Sequence, residues 1–218
     1  MAQRFSGVIL DVDGTLVDSN DAHARAWVEA LAEAGYGVPF ESVRRMIGMG
    51  GDHLLPAVAQ IESDSPAGKS IERRRGEIFR ERYLGEVRAF PRTRELLEEL
   101  KRRGLKLAVA SSAKPDELEP LLERAGAADL VEQTTSSGEA DQSKPNPDII
   151  QVALGKLGNH PSNTVMLGDT PYDIEAAGRA GVATIALRCG GWSDADLAGA
   201  LAIYDDPADL LSHLDDVL

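Results

Sequence analysis

Short, mostly apolar runs recur along the chain, three of them closed by an acid or a serine. Residues 7–11 read GVILD, 105–112 LKLAVASS, 163–169 NTVMLGD and 182–188 VATIALR. Runs of this kind predict strands covered on both faces, as in a parallel sheet. Helical spacing fills the intervals. Residues 93–103 place leucines at 96, 97 and 100, and Gly104 supplies a stop. The stretches 115–125, 147–157 and 171–180 each open on proline followed by polar first-turn residues. Strand, helix, strand, helix with short connections predicts βαβ units. The expected fold class is α/β, a doubly wound parallel sheet with helices on both faces.

The alternation breaks between about Asp18 and Gly85. Residues 22–34 form a strong helical pattern with Trp27, Ala30, Leu31 and Ala34 on one side. Residues 54–61 and 71–84 are further helical stretches, separated by the loop-like ESDSPAGK. Nearly seventy residues without a convincing strand read as an all-helical insert joined to the sheet by two chain crossings. The expected division is an α/β unit of residues 1–17 and 87–218, with the helical insert at 18–86. Arg73, Arg74 and Arg75, interleaved with Glu, read as a solvated helix face.

Composition narrows the function. Apolar residues make up 43% and charged residues 27%, ordinary for a folded globular chain. Twenty-three Lys and Arg against 36 Asp and Glu give a net charge of −13, which disfavours nucleic acid and anionic membrane as partners. A small anionic substrate would need a local cation. One cysteine, Cys189, excludes an internal disulfide and a cysteine zinc site. No run approaches the roughly 18 apolar residues of a membrane span, and the opening apolar patch is too short for a signal-peptide core. The expected location is the cytoplasm. Seven aspartates and no Lys or Arg follow Arg188, but Leu210, Leu211, Leu214 and Leu218 keep helical spacing beside them. A solvated helix face accounts for that better than an interaction tail.

Four segments carry candidate chemistry. Asp11 and Asp13, separated by Val12 and followed by Gly14 and Thr15, leave the end of the first strand. Ligands of parallel sheets bind beyond the carboxyl ends of the strands. Two acids there repel each other and need a cation between them or a shared proton. A second acidic pair, Asp169 and Asp173, follows another strand. Helix capping explains one of these acids well and two poorly. Four carboxylates at one sheet edge read as an oxygen-ligand Mg²⁺ site. Ser111 and Ser112 end a third strand ahead of a proline-opened helix, where hydroxyls and free N–H groups can hold an anion. Lys144, in KPNPD, could project its ammonium into the same crevice. Taken singly it reads as a surface lysine.

The order DVDGTLVDS, Ser-Ser, KPNPD, GDTPYD resembles that of the haloacid dehalogenase superfamily, in its phosphatase branch with a helical cap after the first motif. Phosphoglycolate phosphatases and β-phosphoglucomutases belong to that branch. The resemblance covers essentially the whole chain. It implies a Rossmann-like core with an inserted cap, and a Mg²⁺-dependent phosphatase for a small phosphorylated metabolite. Asp11 would be the nucleophile that becomes an aspartyl phosphate. Asp13 would protonate the leaving oxygen and activate water, its backbone carbonyl reaching the metal. Ser111 and Lys144 would hold phosphoryl oxygens, with Gly14, Thr15 and Ser112 around them. Asp169 would bind Mg²⁺ and Asp173 would support it. A monomer or a dimer is compatible with the sequence.

Asp13 favours phosphoryl transfer over dehalogenation, since halide needs no protonation. The only lysine of the insert, Lys69, sits in a loop and makes a poor Schiff-base lysine. A non-enzymatic phosphoacceptor of the receiver type would carry its acceptor on a middle strand and its Lys-Pro near the end. The nearest rival is a phosphosugar mutase working through the same intermediate. Substrate choice should lie in the insert, with His23, Arg45 and Gly51 as candidates. His23 is a packed or surface residue as readily as a contact. Gly51 stands where the mutases resembled carry an arginine. The Cys189–Trp192 segment could form part of the crevice rim, but a simple loop is the stronger reading.

Overall fold

The computed structural model describes residues 5–218. Residues 1–4 of the expected first segment lie outside the described residues. The strands are β1 (Gly7–Leu10), β2 (Val17–Asp18), β3 (Arg88–Ala89), β4 (Lys106–Ala110), β5 (Gln133–Thr135), β6 (Thr164–Gly168), β7 (Ala183–Leu187) and β8 (Ala202–Tyr204). Six of them form one sheet in the order β5-β4-β1-β6-β7-β8, with every pairing parallel. The expected α/β doubly wound core is present.

The apolar runs form these strands because both their faces are covered. The period of two along a strand sorts the side chains into two layers. Val8 and Leu10 of β1, Leu107 and Val109 of β4, and Val165 and Leu167 of β6 enter the larger core. Ile9, Ala108, Ala110 and Met166 enter the smaller one. That smaller layer is closed by α7 (Asp148–Leu157) and α8 (Pro171–Arg179), through Ile149, Ile150, Ala153, Ala176 and Ala177. The opposite face receives α5 (Thr93–Arg102), with Leu96, Leu97 and Leu100, and α6 (Pro115–Ala125), with Leu118, Leu121 and Leu122. Two strands of this sheet escaped sequence reading, as did the two-residue β2 and β3 outside it. β5 and β8 are three-residue edge strands, QTT and AIY, too short to show a buried run. The chain ends in α9 (Pro207–Ser212) and α10 (Leu214–Val217), with Leu210 and Leu214 buried.

Between β2 and β3 stand α1 (Asn20–Glu33), α2 (Phe40–Arg44), α3 (Gly51–Ala59) and α4 (Pro66–Ile78). The two crossings lie side by side, because β2 and β3 pair antiparallel, Val17 with Ala89 and Asp18 with Arg88. Helix α1 buries Ala24, Trp27, Ala30 and Leu31; Ala34 is its exposed C-cap, one residue past the buried stripe. The 71–84 stretch is not one α-helix. Helix α4 ends at Ile78 and continues as a π-helical turn, Phe79–Tyr83. The reading of Arg75 as solvated is corrected. Ile71, Arg75, Ile78 and Phe79 share the inward face of this segment and all are buried. Arg73 and Arg74 stay on the outer side, paired with Glu77 and Glu33.

Candidate active site

Parallel strands deliver their C-terminal residues to one edge, and β1 and β6 are neighbours. Asp11 follows β1 and Asp169 follows β6, so the central pairing of the sheet places the two carboxylates together. Asp173 joins them from the first turn of α8. One carboxylate oxygen from each of Asp11, Asp169 and Asp173 lies within 4.8 Å of the others, and all three residues are buried. Lys144 reaches this group from the loop before α7 with no exposed surface. Its Nζ donates to Asp11 Oδ1 at 2.6 Å and to the Ala110 carbonyl at 2.9 Å, and stands 2.8 Å from Asp173 Oδ1. The surface reading of Lys144 alone does not apply. A lysine that deep survives only with anions around it.

The acids are oriented by neutral neighbours. Thr15 Oγ1 bridges Asp169 Oδ1 at 3.0 Å and Asp11 Oδ2 at 3.3 Å. Asn20 Nδ2, at the start of α1, donates to Asp169 Oδ2 at 3.0 Å. Asp173 Oδ2 takes the Thr170 N–H and hydroxyl in a capping box, leaving Oδ1 toward Lys144. Two glycines make room. Gly14 has φ +77°, and a Cβ there would stand 2.3 Å from Asp169 Oδ2. A Cβ on Gly190 would stand 1.7 Å from the same oxygen.

Asp13 points elsewhere. Its Oδ1 accepts from Ser19 Oγ at 2.5 Å and meets His23 Nε2 at 2.8 Å. His23 is itself stacked on Phe79, with ring centroids 3.9 Å apart. The Asp13 carboxylate therefore lies outside the trio that could share a cation. Burial pushes the Asp11 carboxyl up to about 7; Lys144 opposes this, while Asp173 and Asp13 add to it. Burial, with Asp11 and Asp173 beside it, holds Asp169 well above the ordinary carboxylate range. Asp13 goes the other way. Burial alone would raise it, but His23, Ser19 and Arg75 outweigh that and hold it low. Lys144 is shifted up, since Asp11 and Asp173 more than offset its burial.

A cleft of about 50 Å³ above Asp11 and Asp13 is bounded by His23, Gly51 and Ser112. It opens onto a chamber of about 520 Å³ between α4, α6 and the loop before Lys144. Ser111 is buried beneath, its Oγ accepting from the Ala113 N–H at 3.0 Å. Arg45 is not brought to this cleft. Its guanidinium lies over Trp192, 5.3 Å from the ring centre, in a separate depression. Sequence reading overlooked Asn20 and Glu117, took Arg75 as solvated and set Gly190 in a simple loop. Of these, Arg75 carried a signal, since it keeps helical phase with Ile71, Ile78 and Phe79. Glu117 looked like an ordinary first-turn acid.

A family model described as haloacid dehalogenase-like hydrolase matches residues 8–187. The chain is 32% identical to a phosphoglycolate phosphatase of Rhodospirillum rubrum, over 93% of this chain and 88% of the relative. It is 30% identical to the pyrophosphatase PpaX of Oceanobacillus iheyensis, over 85% of this chain and 83% of the relative. A crystal structure of a hydrolase from Pseudomonas syringae superposes with a TM-score of 0.90 at 30% identity, covering 97% of this chain and 99% of that one. The aspartates gathered at the ends of β1 and β6 thus belong to a familiar frame, and the protein is a member of the haloacid dehalogenase-like hydrolases.

Proposed function

We propose that this protein is a Mg²⁺-dependent phosphatase that hydrolyses small phosphate monoesters through an aspartyl phosphate on Asp11. The observation that carries the reading is the division between Asp11 and Asp13. Two carboxylates two residues apart have opposite surroundings, one set among a lysine and further acids, the other against a histidine. Environments that separate two acids in this way suit a nucleophile and a proton carrier.

In the first step a carboxylate oxygen of Asp11 attacks phosphorus and the bond to the leaving oxygen breaks. Asp13 gives that oxygen a proton, so the product leaves as an alcohol. Asp13 is held low while it faces His23, and its acid role requires the leaving oxygen to replace that contact. In the second step water attacks phosphorus, Asp13 takes its proton, and inorganic phosphate departs with Asp11 restored. Lys144 holds charge beside the phosphoryl group throughout, and Ser112 and Thr15 stand near it.

The all-oxygen set of Asp11, Asp169 and Asp173 fits a hard cation, and the carboxyls of Asp11 and Asp169 are raised first by burial and then by the neighbouring acids. A bound Mg²⁺ would supply charge neutralisation for the meeting of an anionic nucleophile with an anionic ester. We assign residues 18–86 as the cap and residues 1–17 and 87–218 as the core; the paired crossings at β2 and β3 support that boundary.

The test is turnover of p-nitrophenyl phosphate with and without Mg²⁺. Release of inorganic phosphate is expected, abolished by EDTA and in Asp11→Asn. Full activity in Asp11→Asn would sink the mechanism.

A further inference from the structure

Two buried side chains beside the cleft take no direct part in the chemistry at Asp11, although the charge of one, Arg75, helps hold Asp13 low. Arg75 of α4 donates from Nη1 to Oε2 of Glu117, on α6, at 2.7 Å. Both residues line the cleft. Glu117 has no exposed surface and Arg75 has 8%. Buried polar groups normally find partners, yet Arg75 Nε and Glu117 Oε1 have none among the described residues. Arg80 Nη1 is 3.7 Å from Oε1, too far for a hydrogen bond, and is committed to Asp116 at 2.6 Å. The indole of Trp27 lies 5.2 Å from the Arg75 guanidinium and lines the same cleft. One ion pair therefore offers a spare donor and a spare acceptor beside an apolar ring.

We propose that Arg75 and Glu117 bind hydroxyls of the leaving group, so that the enzyme selects phosphate monoesters of neutral polyhydroxylated alcohols. This rests on the phosphatase reading above. Hydroxyls both donate and accept, so one can accept from Arg75 Nε while another donates to Glu117 Oε1. A carboxylate or a second phosphate only accepts, and an ammonium only donates. The chamber beyond the pair agrees. It is lined by Asp52, Glu72, Asp116 and Asp141, with Lys114 and Arg75 as its cations. Arg75 is taken by Glu117, and Lys114 Nζ lies 3.8 Å from Glu72 Oε2. An anionic leaving group would meet surplus carboxylates there, and like charges brought together exclude a partner strongly. The volume, about 520 Å³, falls within the range of roughly 300–1,000 Å³ typical of small-molecule sites.

The experiment measures kcat/KM of the Mg²⁺-loaded enzyme on p-nitrophenyl phosphate, sorbitol 6-phosphate, glucose 6-phosphate, phosphoethanolamine, 2-phosphoglycolate and glucose 1,6-bisphosphate. The two neutral polyol esters should exceed the phosphoglycolate, the bisphosphate and the aminoalcohol ester by at least tenfold. Equality, or preference for any of those three, overturns the proposal while leaving the phosphatase reading in place, provided p-nitrophenyl phosphate is turned over. If every ester is inert, the phosphatase reading fails and this proposal with it. The double variant Arg75→Met/Glu117→Leu removes both polar edges without stranding a buried charge. Its polyol-to-phosphoglycolate ratio should fall at least tenfold, chiefly through KM for the polyol esters. A ratio equal to that of the wild type overturns the proposal. If the double variant does not fold, the wild-type ranking alone decides.

Discussion

Lys144 and Asp11 are 133 residues apart in sequence, and their charged atoms are 2.6 Å apart in a buried site. The lysine also stands beside Asp173, so one ammonium serves two carboxylates with a third, Asp169, close by. Removing it leaves buried anions without a counter-charge. Breaking a buried pair in this way typically costs about 3–5 kcal/mol. Lys144→Met should therefore unfold at distinctly lower urea than the wild type and lose at least a hundredfold in turnover. Because Mg²⁺ would replace part of the missing charge, the stability deficit should shrink when the metal is added. Urea midpoints with EDTA and with Mg²⁺ check both statements; equal midpoints for variant and wild type in EDTA would contradict them.

Gly190 offers a way to disturb the site from outside it. A methyl group there would collide with Asp169 Oδ2. The whole Asp169 side chain, its Cβ included, must then shift away from Asn20, whose Nδ2 also reaches the Gly190 carbonyl at 3.3 Å. Gly190→Ala should keep its circular dichroism spectrum but bind Mg²⁺ at least tenfold more weakly. Metal titration followed by phosphate release measures this, and an unchanged Mg²⁺ requirement would show that Asp169 is not a ligand.

How much of this was legible in the sequence depends on what each residue does. The strands β1, β4, β6 and β7 were readable because a strand covered on both faces must be apolar throughout. The edge strands β5 and β8 carry no such requirement. Asp11 and Asp169 drew notice because they end apolar runs, and adjacency of β1 and β6 is enough to bring them together. Arg75 was hidden by its neighbours: a run of three arginines suggests solvent, and only helical phase sends the third one inward. Glu117 and Gly190 act through contacts 42 and 21 residues distant, with Arg75 and Asp169, which no local pattern reveals. Arg45 stood near the right loop, but its side chain is held outward by Trp192.

The acidity of the site gives a pH prediction. In the metal-free protein the Asp11 carboxyl sits at about 7, against an ordinary value near 3.8, because it is buried among other acids. Between those values the folded protein holds a proton that the unfolded chain has lost. This group therefore supports the metal-free fold at low pH, and that support disappears as pH rises to and through about 7. Mg²⁺ competes with the same proton, so its stabilising effect should run in the opposite direction. The rise in Tm on adding Mg²⁺ should be small at pH 5.5 and distinctly larger at pH 8. A Mg²⁺-induced rise that is constant over this range would contradict the assignment of Asp11 to the metal. Asp13, held below its ordinary value, titrates at lower pH and does not contribute to this window.

The last prediction separates hydrolysis from phosphosugar isomerisation, since both can proceed through a phosphorylated Asp11. An isomerising enzyme must keep water from the phosphoenzyme until a second sugar phosphate returns the phosphoryl group. That requires a cationic grip on the phosphate that does not react, so that closure favours the sugar over water. The turn of the helical insert where such an arginine is expected has Gly51, and the space beside it is filled by an acid. A Cβ at Gly51 would stand 2.3 Å from Glu72 Oε1. Arg44, the nearest alternative, is tied to Asp21 at 2.7 Å and to the Gly190 carbonyl at 2.6 Å. Arg45 is turned to Trp192. With an anion where the grip would be, water should reach the phosphoenzyme first. Incubation with Mg²⁺, β-glucose 1-phosphate and a trace of glucose 1,6-bisphosphate should release inorganic phosphate and glucose, with no accumulation of glucose 6-phosphate. Rapid formation of glucose 6-phosphate with little free phosphate would make the protein a mutase and show that some other cation supplies the grip.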